Sequence, residues 1–290
     1  MAGQTILLGV FLLCCVFGKE VVLSTGLGGW TQQQLWSQYT SYKAYADIGI
    51  ITTSSVLAYY IAENGSLAVY TTRSSMWPAE IYQATLKNDL GLKALPCLYC
   101  DATIGNCADL ASRLNNLYNN MTGFIDDTIS RGKQYGWDGY SVDFEPDTPV
   151  EMEQVTNFIL EWGKALQENE MYLSVWIGGN VPYNLTQLYN SSYVKLVTMD
   201  TYNLSYDEVI NVVAPLQTSM YDVNNLGFGL LTNYQTNNKS SRNRYNQTEG
   251  PDMVGIVSWS LLTGAEPLSL WASHIPPEWY GALYTYVLEK

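Results

Sequence analysis

Eight short apolar runs, most of them followed by a stretch of helical period, dominate this chain of 290 residues. The runs are EVVLST (20–25), IGIITT (48–53), LKALPCLYC (92–100), GYSVDFE (139–145), MYLSVWIG (171–178), VKLVTMDTY (194–202), LGFGLLT (226–232) and GIVSWSL (255–261). Helical period fills 30–45, 78–90, 107–133, 150–169, 207–219 and 279–289. VLAYYIAENGSLAVYT reads as a hairpin turning at Asn64 and Gly65. Such alternation over one domain length predicts an α/β fold, a single-domain (β/α)8 TIM barrel. A doubly wound sheet would need a glycine fingerprint. TGLGGW offers Gly26, Gly28 and Gly29 but no third glycine at the required offset.

Residues 1–18 stand outside this pattern. Ile6 to Phe17 is an apolar run closed by Gly18, the length of a signal-peptide core and short of the roughly 20 residues that span a bilayer. The expectation is a cleaved signal peptide and a catalytic domain over 19–290, either secreted or in the lysosomal or endomembrane lumen, without a membrane anchor. Asn-X-Ser/Thr sequons at Asn64, Asn120, Asn184, Asn190, Asn238 and Asn246 are then candidate glycosylation sites, and Asn203 begins a seventh.

Downstream of the leader, Cys97, Cys100 and Cys107 remain, and the expected bridge joins Cys100 to Cys107 across DATIGN. Cys97 and Cys100 lack a second cysteine pair, and the one histidine, His274, is remote in sequence, so neither metal nor cofactor is expected. A formal net charge of -13 repels polyanions and argues against nucleic acid as a partner. Tyr (23) and Trp (nine) are abundant, and such rings, where they are not core, stack on the flat apolar faces of sugars. The chain is expected to act as a monomer.

The run GWDGYSVDFEPD (136–147) carries the chemistry. Strand side chains alternate, so Ser141, Asp143 and Glu145 share one face while Tyr140, Val142 and Phe144 take the other. Barrel enzymes draw their catalytic groups from the C-terminal ends of strands, where both acids fall. One acid there would pass for a helix cap or an ion pair. Two on the same face of a central strand repel each other and call for another explanation.

DGYSVDFE resembles the signature of glycoside hydrolase family 18, the chitinases and their relatives: DG, three residues, D, one residue, E. Asp138, Gly139, Asp143 and Glu145 match it. MDTYN is similar to the family's sixth-strand motif, placing Tyr202 and Asn203. GIVSWS resembles its eighth strand, placing Trp259 at the floor of the sugar pocket, and NLGFGLLTN its seventh.

The resemblance implies hydrolysis of β-1,4 linkages next to N-acetylglucosamine, with retention at the anomeric carbon. The two carboxyls, with Cβ atoms about 7 Å apart along one strand, cannot flank a scissile bond. In this family the nucleophile is the substrate's own acetamido oxygen. Glu145 is implied as general acid, Asp143 as acceptor for the acetamide N–H, and Tyr202 as holder of its carbonyl. Asp138, Ser141, Asn203 and Trp259 are implied contacts to substrate. The negative charge of Asp143 is expected to keep Glu145 protonated.

Two departures from the family pattern have consequences. Ser141 stands where an aspartate is usual, so Asp143 is expected to ionise more readily and activity to persist into acid. Asn203 is both a pocket position and a sequon, and the pocket role is the expectation.

Two rivals compete with this reading. A serine hydrolase would need a nucleophile elbow, and GYSVD lacks its second glycine. A non-catalytic lectin binding GlcNAc-containing glycans is the second, and retention of Glu145, Asp143 and Tyr202 favours an enzyme over it. Chitin, chitooligosaccharides and the chitobiose core of N-glycans remain as substrates.

Overall fold

The computed structural model describes residues 19–26, 31–71, 78–102, 107–179, 181–202, 205–232, 252–271 and 274–289. In chain order the strands are β1 (Val21–Thr25), β2 (Thr53–Ile61), β3 (Leu67–Val69), β4 (Lys93–Ala94), β5 (Cys97–Asp101), β6 (Gly139–Glu145), β7 (Tyr172–Ile177), β8 (Val194–Thr198), β9 (Leu226–Leu231) and β10 (Leu268–Trp271). The helices are α1 (Gln32–Asp47), α2 (Ala79–Leu90), α3 (Leu110–Asn119), α4 (Met121–Tyr135), α5 (Met152–Gln167), α6 (Leu185–Tyr189), α7 (Tyr206–Gln217), α8 (Met253–Thr263) and α9 (Tyr280–Leu288).

Eight strands pair in parallel in the order β1-β10-β9-β8-β7-β6-β5-β2, and β1 pairs back onto β2 to close the ring. This is the expected (β/α)8 barrel. β3 folds back on β2 as the antiparallel hairpin expected at Asn64 and Gly65. β4 pairs with the start of β2, so the third apolar run is two strands broken at Leu95 and Pro96.

Two expected strands fall elsewhere. The apolar run at 48–53 is the exit from α1: the N–H groups of Ile48, Gly49 and Ile50 donate to Ala44, Ala46 and Tyr45 carbonyls. Their donors are spent on the last helical turn, and the strand starts only at Thr53. The run at 255–261 is helical and belongs to α8. Asp252 Oδ1 caps its start by accepting from Gly255 N at 3.1 Å, and Gly264 ends it in the left-handed conformation at φ 80°. The eighth barrel strand is instead β10, paired with β1 and β9.

The two faces of β6 show how the barrel is filled. Tyr140, Val142 and Phe144 belong to the apolar layer between sheet and helices. There the Tyr140 hydroxyl donates to Thr128 O at 2.7 Å, and Trp162 of α5 donates to Thr128 Oγ1 at 2.9 Å. Ser141 and Asp143 face the barrel axis, both buried.

The floor, at the N-terminal ends of the strands, is closed by Glu20. It is 2 % exposed and reaches across the barrel from β1 and β2 to β7 and β8. Thr53 and Tyr172 hydroxyls donate to Glu20 Oε1 at 2.7 and 2.5 Å, and Lys195 Nζ lies 3.4 Å from Oε2. Burial alone would raise its pKa, but Lys195, Lys93 and the two hydroxyls outweigh burial and hold it below the ordinary 4.5.

Candidate active site

At the other end, β6 delivers Asp143 and Glu145 into a mouth built from neighbouring strand ends. The open cleft there has a volume of about 480 Å³ and is lined by Asp101, Glu145, Asp147, Gly178, Met199 and Tyr202, among others. The alternation read from the sequence holds: Asp143 is buried below and Glu145 is exposed at the rim.

The β5–β6 register sets Tyr99 beside Asp143 and Asp101 beside Glu145. Burial, then Glu145 and Asp101, push Asp143 well above the ordinary carboxylate range. Among the described residues nothing hydrogen-bonds to its Oδ1. Glu145 is raised too, by partial desolvation at the mouth and then by Asp101.

Ser141 places no charge beside Asp143, but burial and two acidic neighbours still resist its ionisation. Asp143 and Glu145 resist being charged together, and Asp101 adds to the pressure on Glu145. Ser141 has a structural partner of its own, since its Oγ accepts from Trp176 Nε1 at 2.9 Å.

Tyr202 enters from the segment after β8, with its ring 6.1 Å from that of Trp176. Burial, then Asp143 and Glu145, hold its hydroxyl well above the ordinary 10.0, so it is a neutral donor. The Thr201 hydroxyl anchors the segment by donating to Gly229 O at 2.7 Å. Glu145, Asp143 and Tyr202 thus come together at one end of the barrel.

The remaining expected site residues scatter. Asp138 lies at the opposite end, before β6, where its Oδ2 accepts from Lys87 Nζ at 2.6 Å and Ala94 N at 2.8 Å. It ties the barrel floor to α2 and is far from the mouth. Trp259 sits on α8 with its ring 6.1 Å from Phe228, packed against the core. The aromatic at the mouth end of the eighth strand is Trp271, half-buried beside Gly26. Asn203 lies outside the described residues.

The Cys100–Cys107 disulfide forms as expected, and Cys97 is a buried thiol whose pKa is pushed up by burial and then by Asp143. Asn64, Asn120 and Asn190 are exposed. Asn184 Nδ2 donates to Glu153 Oε1 at 3.0 Å. Asn238, Asn246 and residues 1–18 lie outside the described residues.

Asp101 and Trp271 are the mouth residues that sequence reasoning missed. Asp101 was open to the same alternation argument as the β6 acids, since Cys97, Tyr99 and Asp101 share a face. Trp271 was hidden by the misplaced eighth strand.

A closed parallel barrel with an acid pair and a tyrosine at its open end defines a class: (β/α)8 barrels whose polar groups gather at the C-terminal ends of the strands. Solved structures of the same fold include the chitinase of Chromobacterium violaceum (TM-score 0.68, 13% identity, 94% of this chain and 100% of that one). The spore cortex-lytic enzyme SleL of Bacillus megaterium also matches (0.67, 12%, 94% and 75%). So does the GH18 chitinase ChiB of Flavobacterium johnsoniae (0.65, 14%, 93% and 94%). At these identities the likeness is one of fold. No protein-family model and no curated protein sequence matches the chain.

Proposed function

We propose that the protein is a chitinase-like glycoside hydrolase of family 18 type. It cleaves β-1,4 linkages next to N-acetylglucosamine in chitin, chitooligosaccharides or the chitobiose core of N-glycans, with retention. The observation that carries this reading is the placement of Asp143 and Glu145 on one strand of the mouth, with Tyr202 lining the same cleft as Glu145. The chitinase-type fold supports it.

Glu145, held protonated, gives its proton to the glycosidic oxygen as the C1–O bond breaks. Both acids sit on the same side, so the bond to C1 forms from the substrate's acetamido oxygen, giving an oxazolinium ion. Tyr202 donates to the acetamide carbonyl and holds it in line. Asp143 accepts from the acetamide N–H through a carboxyl oxygen and so keeps the acetamido oxygen turned toward C1. Water then opens the ring, Glu145 takes back a proton, and the anomer is retained.

Turnover of a chromogenic chitobioside tests the reading. Glu145→Gln is expected to lose about 10²–10⁴-fold in kcat while still binding. Binding without turnover in the native protein would make it a lectin. Inverted product, or equal cleavage of a substrate lacking the N-acetyl group, would overturn the mechanism. Passage through the secretory route belongs to the same proposal, and a mobility shift on enzymatic removal of N-glycans tests it.

A further inference from the structure

Asp101 has no part in the mechanism above, yet it stands next to the proposed proton donor. β5 and β6 run parallel with Asp101 opposite Glu145, and both side chains line the same cleft. The two strand ends are locked in register: Ala102 N donates to Glu145 O at 3.1 Å, and the disulfide anchors the chain at Cys100. Asp101 is only 8 % exposed, so water screens its charge poorly. The Tyr99 hydroxyl donates to its Oδ2 at 3.1 Å and fixes the carboxylate's orientation.

The surroundings of Glu145 contain few other candidates for this influence. Asp143 lies below it on the same strand, Asp147 on the segment that follows, Tyr99 and the deeper Cys97 on β5, and Tyr202 after β8. Among the described residues lining the cleft, none is basic. Asp143 is desolvated and resists carrying charge, and Asp101 is the acid of the adjacent strand.

We propose that Asp101 is a positioning residue of this site: a fixed anionic neighbour across the β5–β6 pair that keeps the proton on Glu145 while the cleft is empty, so that the donor is loaded when substrate arrives. The inference rests on the reading of Glu145 as proton donor. The upward displacement of Glu145, attributed to desolvation and then to Asp101, agrees with the geometry. Two carboxyls side by side resist being charged together.

Carbon-13 NMR of carboxyl-labelled protein tests this directly, with the Glu145 resonance assigned by its loss in Glu145→Gln. Asp101→Asn is expected to lower the Glu145 titration midpoint, and Asp101→Glu to restore it in part. The alkaline limb of the kcat/KM profile moves down by the same amount. Above the new midpoint, kcat/KM on a chitooligosaccharide falls about tenfold. A nitrophenyl glycoside, whose leaving group needs little protonation, loses far less.

Asp101→Ser and Tyr99→Phe carry the same test if the asparagine variant does not fold. A working hydrolase whose Glu145 midpoint is unmoved by all of these overturns this inference alone. A native protein that hydrolyses neither substrate overturns the proposed function, and this inference with it.

Discussion

Gly229 of β9 lies flat against the ring of Tyr202. A methyl group at position 229 would sit 2.5 Å from Tyr202 Cε1 and 2.9 Å from Trp176 Cζ3, with Thr198 O at 3.3 Å on a third side. The second glycine of LGFGLL is thus the space that two mouth aromatics occupy. Gly229→Ala is expected to cost about 1–3 kcal/mol through overpacking. Because the ring that must yield is that of Tyr202, kcat/KM should fall by about 10²-fold, the usual consequence of displacing a positioning group by an ångström. Denaturant unfolding and hydrolysis measured on the same preparation separate the two effects.

Asp143 sets a pH dependence of stability. Its folded-state pKa lies well above the ordinary 3.8, because burial and two acidic neighbours disfavour the charge. The folded state therefore binds more protons than the unfolded state between those two values. Stability is full below 3.8 and declines as pH rises toward the folded pKa. Asp143→Asn removes the decline: its melting temperature should exceed the native one at pH 7 and match it near pH 3.5. A native protein that grows more stable over that window would contradict the assignment.

Glu20 has the opposite sign. Its folded pKa is below the ordinary 4.5, so it contributes stability above that value and loses the contribution as pH falls. Lys195→Met is expected to cost about 2 kcal/mol at pH 7, less than the 3–5 typical of a fully buried pair, since Lys195 is 27% exposed and Lys93 remains. The cost should shrink in acid as Glu20 protonates. Urea unfolding at pH 7 and pH 4 measures both.

The Cys100–Cys107 bridge closes a short loop, a sequence separation of seven, that starts at the residue before Asp101. Cys107→Ser should lower stability by about 2 kcal/mol on chain-entropy grounds. Loosening the end of β5 also loosens the acid beside Glu145, so the alkaline limb of the rate profile should move down in this variant and in native protein treated with reductant.

What was legible in the sequence follows the physics of each segment. β6 emerged with the bounds of its run because alternation separates Ser141, Asp143 and Glu145 from the apolar face, and both acids are where that pattern puts them. β2 was read too early. Its opening residues, Thr53, Ser54 and Ser55, are small, polar and buried, so hydropathy pointed to the apolar turn before them. α8 was mistaken for a strand because a short apolar run has the same composition either way. The signs that distinguish it, Asp252 before and Gly264 after, were present. The partnership of Asp101 with Glu145 depends on the register between β5 and β6, which no single stretch of chain encodes.

The stoppered floor at Glu20 has a consequence for traffic. Whatever enters the cleft between the strand ends must leave on that same side of the barrel, since the described residues close the floor. On the proposed reaction, the water of the second step arrives past the departing saccharide, and the proton returned to Glu145 comes with it. Affinity for the leaving half of the substrate then works against turnover, and a shorter product that clears the doorway quickly sets the faster cycle.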